Sequence, residues 1–276
     1  MENNKEYQEH LEKVKENGYY LAYVPEELRT KEMCEVGVKS HGTAIPFVPE
    51  ELISPELCEM AVRNMGQALE FVPKEFITQE LCAIAVKESG YALEFVPEEL
   101  KTRELCEIAV KDSGRNLKYV PKDLKSPELC ELAIKGVLGQ GGNLKFVPYE
   151  LRTKELCELA VEDKGYALEH VPEELKSAKM CEYAVSRDGW NLQFVPEDLK
   201  TFKLCELAVT NYGTAIQFVP EDMRTYELCE IAVKECLKWI VKYELENLFE
   251  KSIPSEFQAE LAEKYYIDLP EKGKGR

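Results

Sequence analysis

The sequence predicts an all-α solenoid of about nine 24-residue repeats, each one helix plus short helical turns, closed by a polar N-terminal cap and helical C-terminal caps. Three recurrences carry this prediction. A Val-Pro pair returns with its proline at Pro25, Pro49, Pro73, Pro97, Pro121, Pro148, Pro172, Pro196 and Pro220, every gap being 24 residues except one of 27. A cysteine keeps the same spacing from Cys34 to Cys229. A glycine stands seven residues before each proline, from Gly18 to Gly213.

The stretch TRELCEIAVKDSGRNLKYVPKDLK, residues 102–125, represents the repeat. Thr102 suits a helix N-cap, its hydroxyl accepting an orphan amide, and Glu104 suits the positive end of the dipole. Leu105, Ile108, Ala109 and Val110 form the expected inner side, with Glu107 and Lys111 facing water four residues apart. Gly114 is expected to end the helix as a left-handed C′ residue. Leu117, Val120 and Leu124 keep helical spacing after it, with Pro121 at the first position of another turn and Asp123 satisfying an amide there. The segment A-L-E-F-V also alternates like a strand. A leucine-rich horseshoe has a compatible period, but these units lack its L-x-x-L-x-L strand followed by Asn or Cys.

Units such as AVKESGYALEFV, residues 85–96, resemble an uncharacterised bacterial repeat family of the pattern A-V-K-x-x-G-x-x-L-x-[FY]-V. That family is a domain of unknown function, all-helical and often found in effector-type proteins. The alternation of helix and tight turn is also similar to leucine-rich variant repeats. The resemblance covers residues 13 to about 235 and implies an α-solenoid, with no catalytic residue to carry over.

The ends are read as caps. The first helix places Glu9 and His10 where later repeats carry Leu and Cys. After Val233 the glycine is missing, so the helix is expected to run on through CLKWIVKYELENLFEK, and Ser255 to start a second cap helix ending near Tyr266. The expected division is residues 1–235 as the repeat array, 236–270 as capping helices and 271–276 as a disordered tail.

Composition narrows the function classes. Net charge is −17, which repels nucleic acid and anionic lipid and favours cationic partners. No apolar run is long enough to span a membrane, and the opening MENNKEYQEHLEKVKEN has no apolar core for a secretory signal, so a cytoplasmic protein is expected. The cysteines lack C-x-x-C spacing and sit one repeat apart, too far for disulfides. They are read as small apolar core residues kept as thiols, with Cys236, outside the ladder, as the one to test for reactivity. The second residue after each proline is always acidic, from Glu27 to Asp222, and helix capping accounts for it. His170 stands where other repeats have Phe or Tyr, and reads as a partly buried aromatic substitute. GQGG at 139–142 lacks the Lys-Ser/Thr of a phosphate loop. The expectation is no enzyme, no cofactor and no metal.

What varies within the fixed frame marks the expected partner surface. Tyr91, Arg115, Tyr166 and Trp190 follow the glycine directly, and Lys118 and Lys145 lie four after it. Glu98, Lys122, Tyr149, Glu173 and Glu197 follow the proline directly. The three-residue insertion, with Val137 and Leu138 expected at its tip, falls in the one stretch that is not acidic: residues 111–152 carry net +3, against −11 for 1–110 and −8 for 153–235. Lys111, Arg115, Lys118, Lys122, Lys125, Lys135, Lys145 and Arg152 surround it. It reads either as a projecting binding loop at a basic waist or as a kink in the superhelix. The leading expectation is a binding protein that inhibits or sequesters a basic, nucleic-acid-handling protein, of phage or effector type. A single-stranded nucleic-acid binder and a passive scaffold or oligomerisation module are the alternatives, with oligomeric state left open.

Overall fold

In the computed structural model, residues 2–136, 141–239 and 242–267 are described. They form an all-α repeat solenoid, and no strand occurs among the described residues. The α-helices are α1 (Glu2–Glu16), α2 (Lys31–Ser40), α3 (Pro55–Asn64), α4 (Gln79–Glu88), α5 (Arg103–Asp112), α6 (Pro127–Lys135), α7 (Lys154–Asp163), α8 (Ala178–Arg187) and α9 (Phe202–Asn211). The last repeat leads into α10 (Tyr226–Trp239), followed by α11 (Lys242–Lys251) and α12 (Ser255–Lys264). Each repeat adds two 3-10 helices, one of six residues starting at the glycine and one of three after the proline, as in Gly90–Phe95 and Glu98–Leu100. The A-L-E-F-V stretch is therefore a 3-10 helix, whose amides reach back only three residues.

The chain divides into two compact units within the repeat that carries the insertion. One holds α1–α6 with residues 146–151, and the other holds residues 141–145 and the chain from Arg152 onward. Val137, Leu138 and the tail 271–276 lie outside the described residues.

The expected N-caps form. Thr102 Oγ1 accepts from the Leu105 amide at 3.3 Å, and Ser54, Thr78, Ser126, Thr153, Ser177 and Thr201 do the same at their helices. In the representative repeat Leu105, Cys106, Ala109 and Val110 are buried, whereas Ile108 is 39 % exposed. Cysteine, not isoleucine, thus completes the inner stripe. Glu107 pairs with Arg103 at 3.4 Å on its N-terminal side rather than with Lys111. Burying each such leucine contributes about 2 kcal/mol, and within each unit six-residue 3-10 helices sit between their own α-helix and the next, as Gly90–Phe95 does between α4 and α5.

Two expected local roles are corrected. The repeat glycines do not close helices in a left-handed conformation. The residue before Gly114 is the C-cap, Ser113, in extended geometry at φ −151°, and its amide donates to Ala109 O. The glycine then opens the 3-10 helix, and what requires it is closeness. A Cβ at Gly42, Gly66, Gly141, Gly189 or Gly213 would overlap the carbonyl of an alanine in the next repeat's helix. The acid two after the proline is likewise not the N-cap residue. Proline itself is the N-cap of the short 3-10 helix, as at Pro25, Pro97 and Pro121, without a side-chain cap hydrogen bond.

All ten cysteines are free and buried, and Cys236, the one singled out for a reactivity test, is as buried as those of the ladder. Burial pushes the thiols of Cys34, Cys106, Cys181 and Cys205 up to about 11. At pH 8 the reactive thiolate is therefore scarce as well as covered. We expect the native protein to resist a thiol-specific disulfide reagent at pH 8 and all ten cysteines to react once it is unfolded; rapid labelling of the native chain would contradict this.

Candidate partner surface

The side of each repeat built by the 3-10 helices carries the variable columns, and its geometry follows from the repeat. The residue after the glycine lies near the aromatic residue two before the next repeat's proline. Tyr19 meets Phe47 edge-on at 5.0 Å, Tyr91 meets Tyr119 at 5.4 Å, and Trp190 meets Phe218 at 5.4 Å. Tyr91 and Trp190 still expose about 40 % of their surface. Lys118 lies 4.3 Å from the Tyr119 ring centroid and 5.6 Å from that of Tyr91. The Tyr91 phenol, with that of Tyr119, holds the nearby Glu94 carboxyl below its usual range, and its own ionisation is raised in return. Two expected site residues, Tyr91 and Lys118, are thus brought together.

Tyr166 lies over Gly142: a Cβ at that glycine would run into the Tyr166 hydroxyl. The last glycine of GQGG therefore makes room for the next repeat's phenol. His170 is half-buried, as expected of an aromatic substitute, and burial lowers its pKa.

The basic waist is less free than its sequence suggests. Lys122 pairs with Glu150 at 3.0 Å and Lys135 with Glu131. Lys125 and Arg152 point inward and donate to the carbonyls of Phe146 and His170 at 2.9 and 2.6 Å, and burial lowers the Lys125 pKa. Arg115, Lys118 and Tyr149 belong to the first unit and Lys145 to the second, all of them at the surface.

Those inward cations belong to a ladder that sequence reasoning missed. Four residues after the proline, Arg29, Lys101, Lys125, Arg152, Lys176 and Lys200 each donate to a backbone carbonyl 18 or 21 residues on, in the next repeat. Ile53 and Ile77 take the position in two repeats. Lys101 and Lys200 keep side-chain exposures of only 5 % and 7 %, while Glu98 and Glu197 cover them at 2.6 Å from largely exposed positions. The signal was present as a Lys or Arg immediately before the Ser/Thr cap in seven of the nine repeats.

The outermost row is the pair of residues after each proline. Glu98, Glu173 and Glu197, expected at the partner surface, are exposed there, as are Glu99, Glu174 and Asp198 beside them. Across all nine repeats this row holds only three residues that are not acidic, Lys74, Lys122 and Tyr149. Among the described residues, no His, Cys, Asp and Glu group forms a metal site and no helix is long and apolar enough to cross a membrane.

The model of a domain of unknown function (DUF4116) matches residues 11–53, 78–125, 127–176 and 179–224, more than half of the chain. The chain belongs to this family. Its four matched regions fall on successive stretches of the array, so the DUF4116 domain corresponds to tandem repeats rather than a single globular body. No curated protein matches the chain.

Proposed function

We propose that this DUF4116 protein is a non-catalytic binding solenoid whose proline-turn edge captures the basic surface of a partner protein, inhibiting or sequestering it. One observation carries the reading. The row after the prolines repeats exposed carboxylates at one-repeat spacing, and over Glu173, Glu174, Glu197, Asp198, Glu221 and Asp222 it contains no cation. Carboxylates at regular intervals steer a cationic surface during encounter and hold it by many weak contacts, with an on-rate that falls as salt screens them.

The test compares the full chain with a variant carrying Glu173→Gln, Glu174→Gln, Glu197→Gln and Asp198→Asn. Binding to an immobilised basic nucleic-acid-binding protein is followed from low to physiological salt. The expected result is affinity for the wild type that falls about tenfold or more over that range, and a shallower salt dependence for the variant. Equal, salt-independent binding by both would overturn the reading.

A second reading rests on the exposed Tyr91 and Lys118 with the half-buried Tyr119, a group with the ring-and-cation chemistry on which unpaired bases stack. Its check is a gel shift with single-stranded RNA, against which net charge −17 argues.

A further inference from the structure

The α-helices have a face of their own, away from the proline turns. Two residues after its core cysteine every repeat helix bears an apolar side chain, from Val36 to Ile231, and none of these is fully buried. Two neighbouring columns alter this face in one place. The residue two before the cysteine is Glu from α2 to α7 and again in α10, but Lys179 and Lys203 in α8 and α9. The residue five after it is Lys or Arg from α2 to α6 and again in α10, but Glu162, Ser186 and Thr210 in α7–α9.

These exchanges work against local helix stability. No acid remains in the first turn of α8 or α9, where one would favour the dipole. They also leave carboxylates unneutralised. In the first unit the glutamate after the cysteine pairs along its own helix, as Glu59 does with Arg63 at 2.8 Å and Glu131 with Lys135. Among the described residues, Glu158, Glu182 and Glu206 make no such ion pair.

Clefts open between successive helices, one of about 290 Å³ between α2 and α3 and two larger ones where these columns change. One of about 320 Å³ lies between α7 and α8, with Val161, Met180, Tyr183 and Leu207 as apolar lining and Glu158, Glu162 and Glu182 at its rim. Another of about 460 Å³ lies between α8 and α9, with Leu199, Leu204 and Leu207 below Glu182 and Glu206. Glu182 and Leu207 line both. Lys179 and Lys203, three residues before Glu182 and Glu206 on the same helices, also line these clefts, about one turn nearer the helix N-termini.

We propose that this face of α7–α9 docks an amphipathic helix of a partner protein, its apolar ridge on Tyr183 and Leu207 and one flank of Lys or Arg against Glu158, Glu182 and Glu206. Charge complementarity selects this occupant. No ion pair engages Glu158, Glu182 or Glu206 among the described residues, and with Glu162 they outnumber Lys179 and Lys203 along the clefts, so the flank of the bound helix that faces them is basic. The face is carried by α-helices rather than proline turns, and it supplies the apolar contact that the acidic edge lacks.

The test uses the full chain and a fluorescent helical peptide of ~18 residues with a leucine ridge and lysines on one flank. Control peptides replace the leucines with serine or the lysines with glutamate. Both controls should bind roughly tenfold more weakly or worse. Combined Glu158→Lys, Glu182→Lys and Glu206→Lys should lose the lysine peptide by a similar factor and gain the glutamate peptide, with Tm close to wild type. The proline-turn variant above should keep the lysine peptide within about twofold. Equal binding of the serine control, or loss in the turn variant but not in the triple one, would overturn the docking face while leaving the acidic edge standing. Salt-independent capture by the edge would fail that reading and leave this one intact.

Discussion

Gly189→Ala is expected to destabilise the protein by about 3 kcal/mol, the upper end of what overpacking costs. Alanine is ordinarily the better helix former, and Gly189 has no left-handed φ that alanine would strain. The loss comes from the neighbouring repeat: the new Cβ would overlap the Ala208 carbonyl, a backbone atom inside α9 that already accepts from the Tyr212 amide at 2.9 Å. No rotamer can relieve that contact, so the two repeats must separate. Since each repeat is stabilised chiefly by its neighbours, urea unfolding followed by circular dichroism should shift to lower midpoint and broaden. Gly142→Ala is the contrast. Its Cβ meets the far end of the Tyr166 side chain, which can swing aside, so the cost should stay below about 1 kcal/mol. Equal midpoints for Gly189→Ala and wild type would show that the glycine column is not a spacing device.

These glycines show where sequence reading reaches and where it stops. The repeat, its period, the Ser/Thr caps and the buried cysteines follow from chemistry local to one repeat, and the family match agrees with that architecture. The role of Gly114 was misassigned because a glycine after a helix fits either a left-handed cap or a close approach. Only contacts 19 residues away, in the next repeat, separate the two at its equivalents Gly42 and Gly189. Ile108 was placed inward by its hydrophobicity, yet the helix phase set by Leu105 and Ala109 turns Cys106 in and Ile108 out. The columns of variation were legible in the sequence, and Tyr91, Trp190, Glu98, Glu173 and Glu197 within them are exposed. Its basic waist was overread, because Lys125 and Arg152 look like surface charges until their carbonyl partners are known.

Lys200 allows that misreading to be tested directly. Its ammonium donates to Phe218 O at 3.0 Å and is covered by Glu197 at 2.6 Å, while its stem is buried between repeats. Lys200→Ala removes the donor and the packing of four methylenes together, leaving a buried carbonyl unmatched beside a void. About 2–3 kcal/mol should be lost, read as the shift in urea midpoint at constant slope. Lys200→Ile should cost only about 1 kcal/mol, because it keeps the packing and no longer desolvates a charge. The chain itself uses isoleucine there at Ile53 and Ile77. Glu197 then stands without its cation but remains 74 % exposed, where water serves it. If Ile proved as damaging as Ala, the hydrogen bond alone would hold the repeats together. If Ala proved neutral, the ladder would be incidental and Lys200 no different from the surface lysines it resembles in sequence.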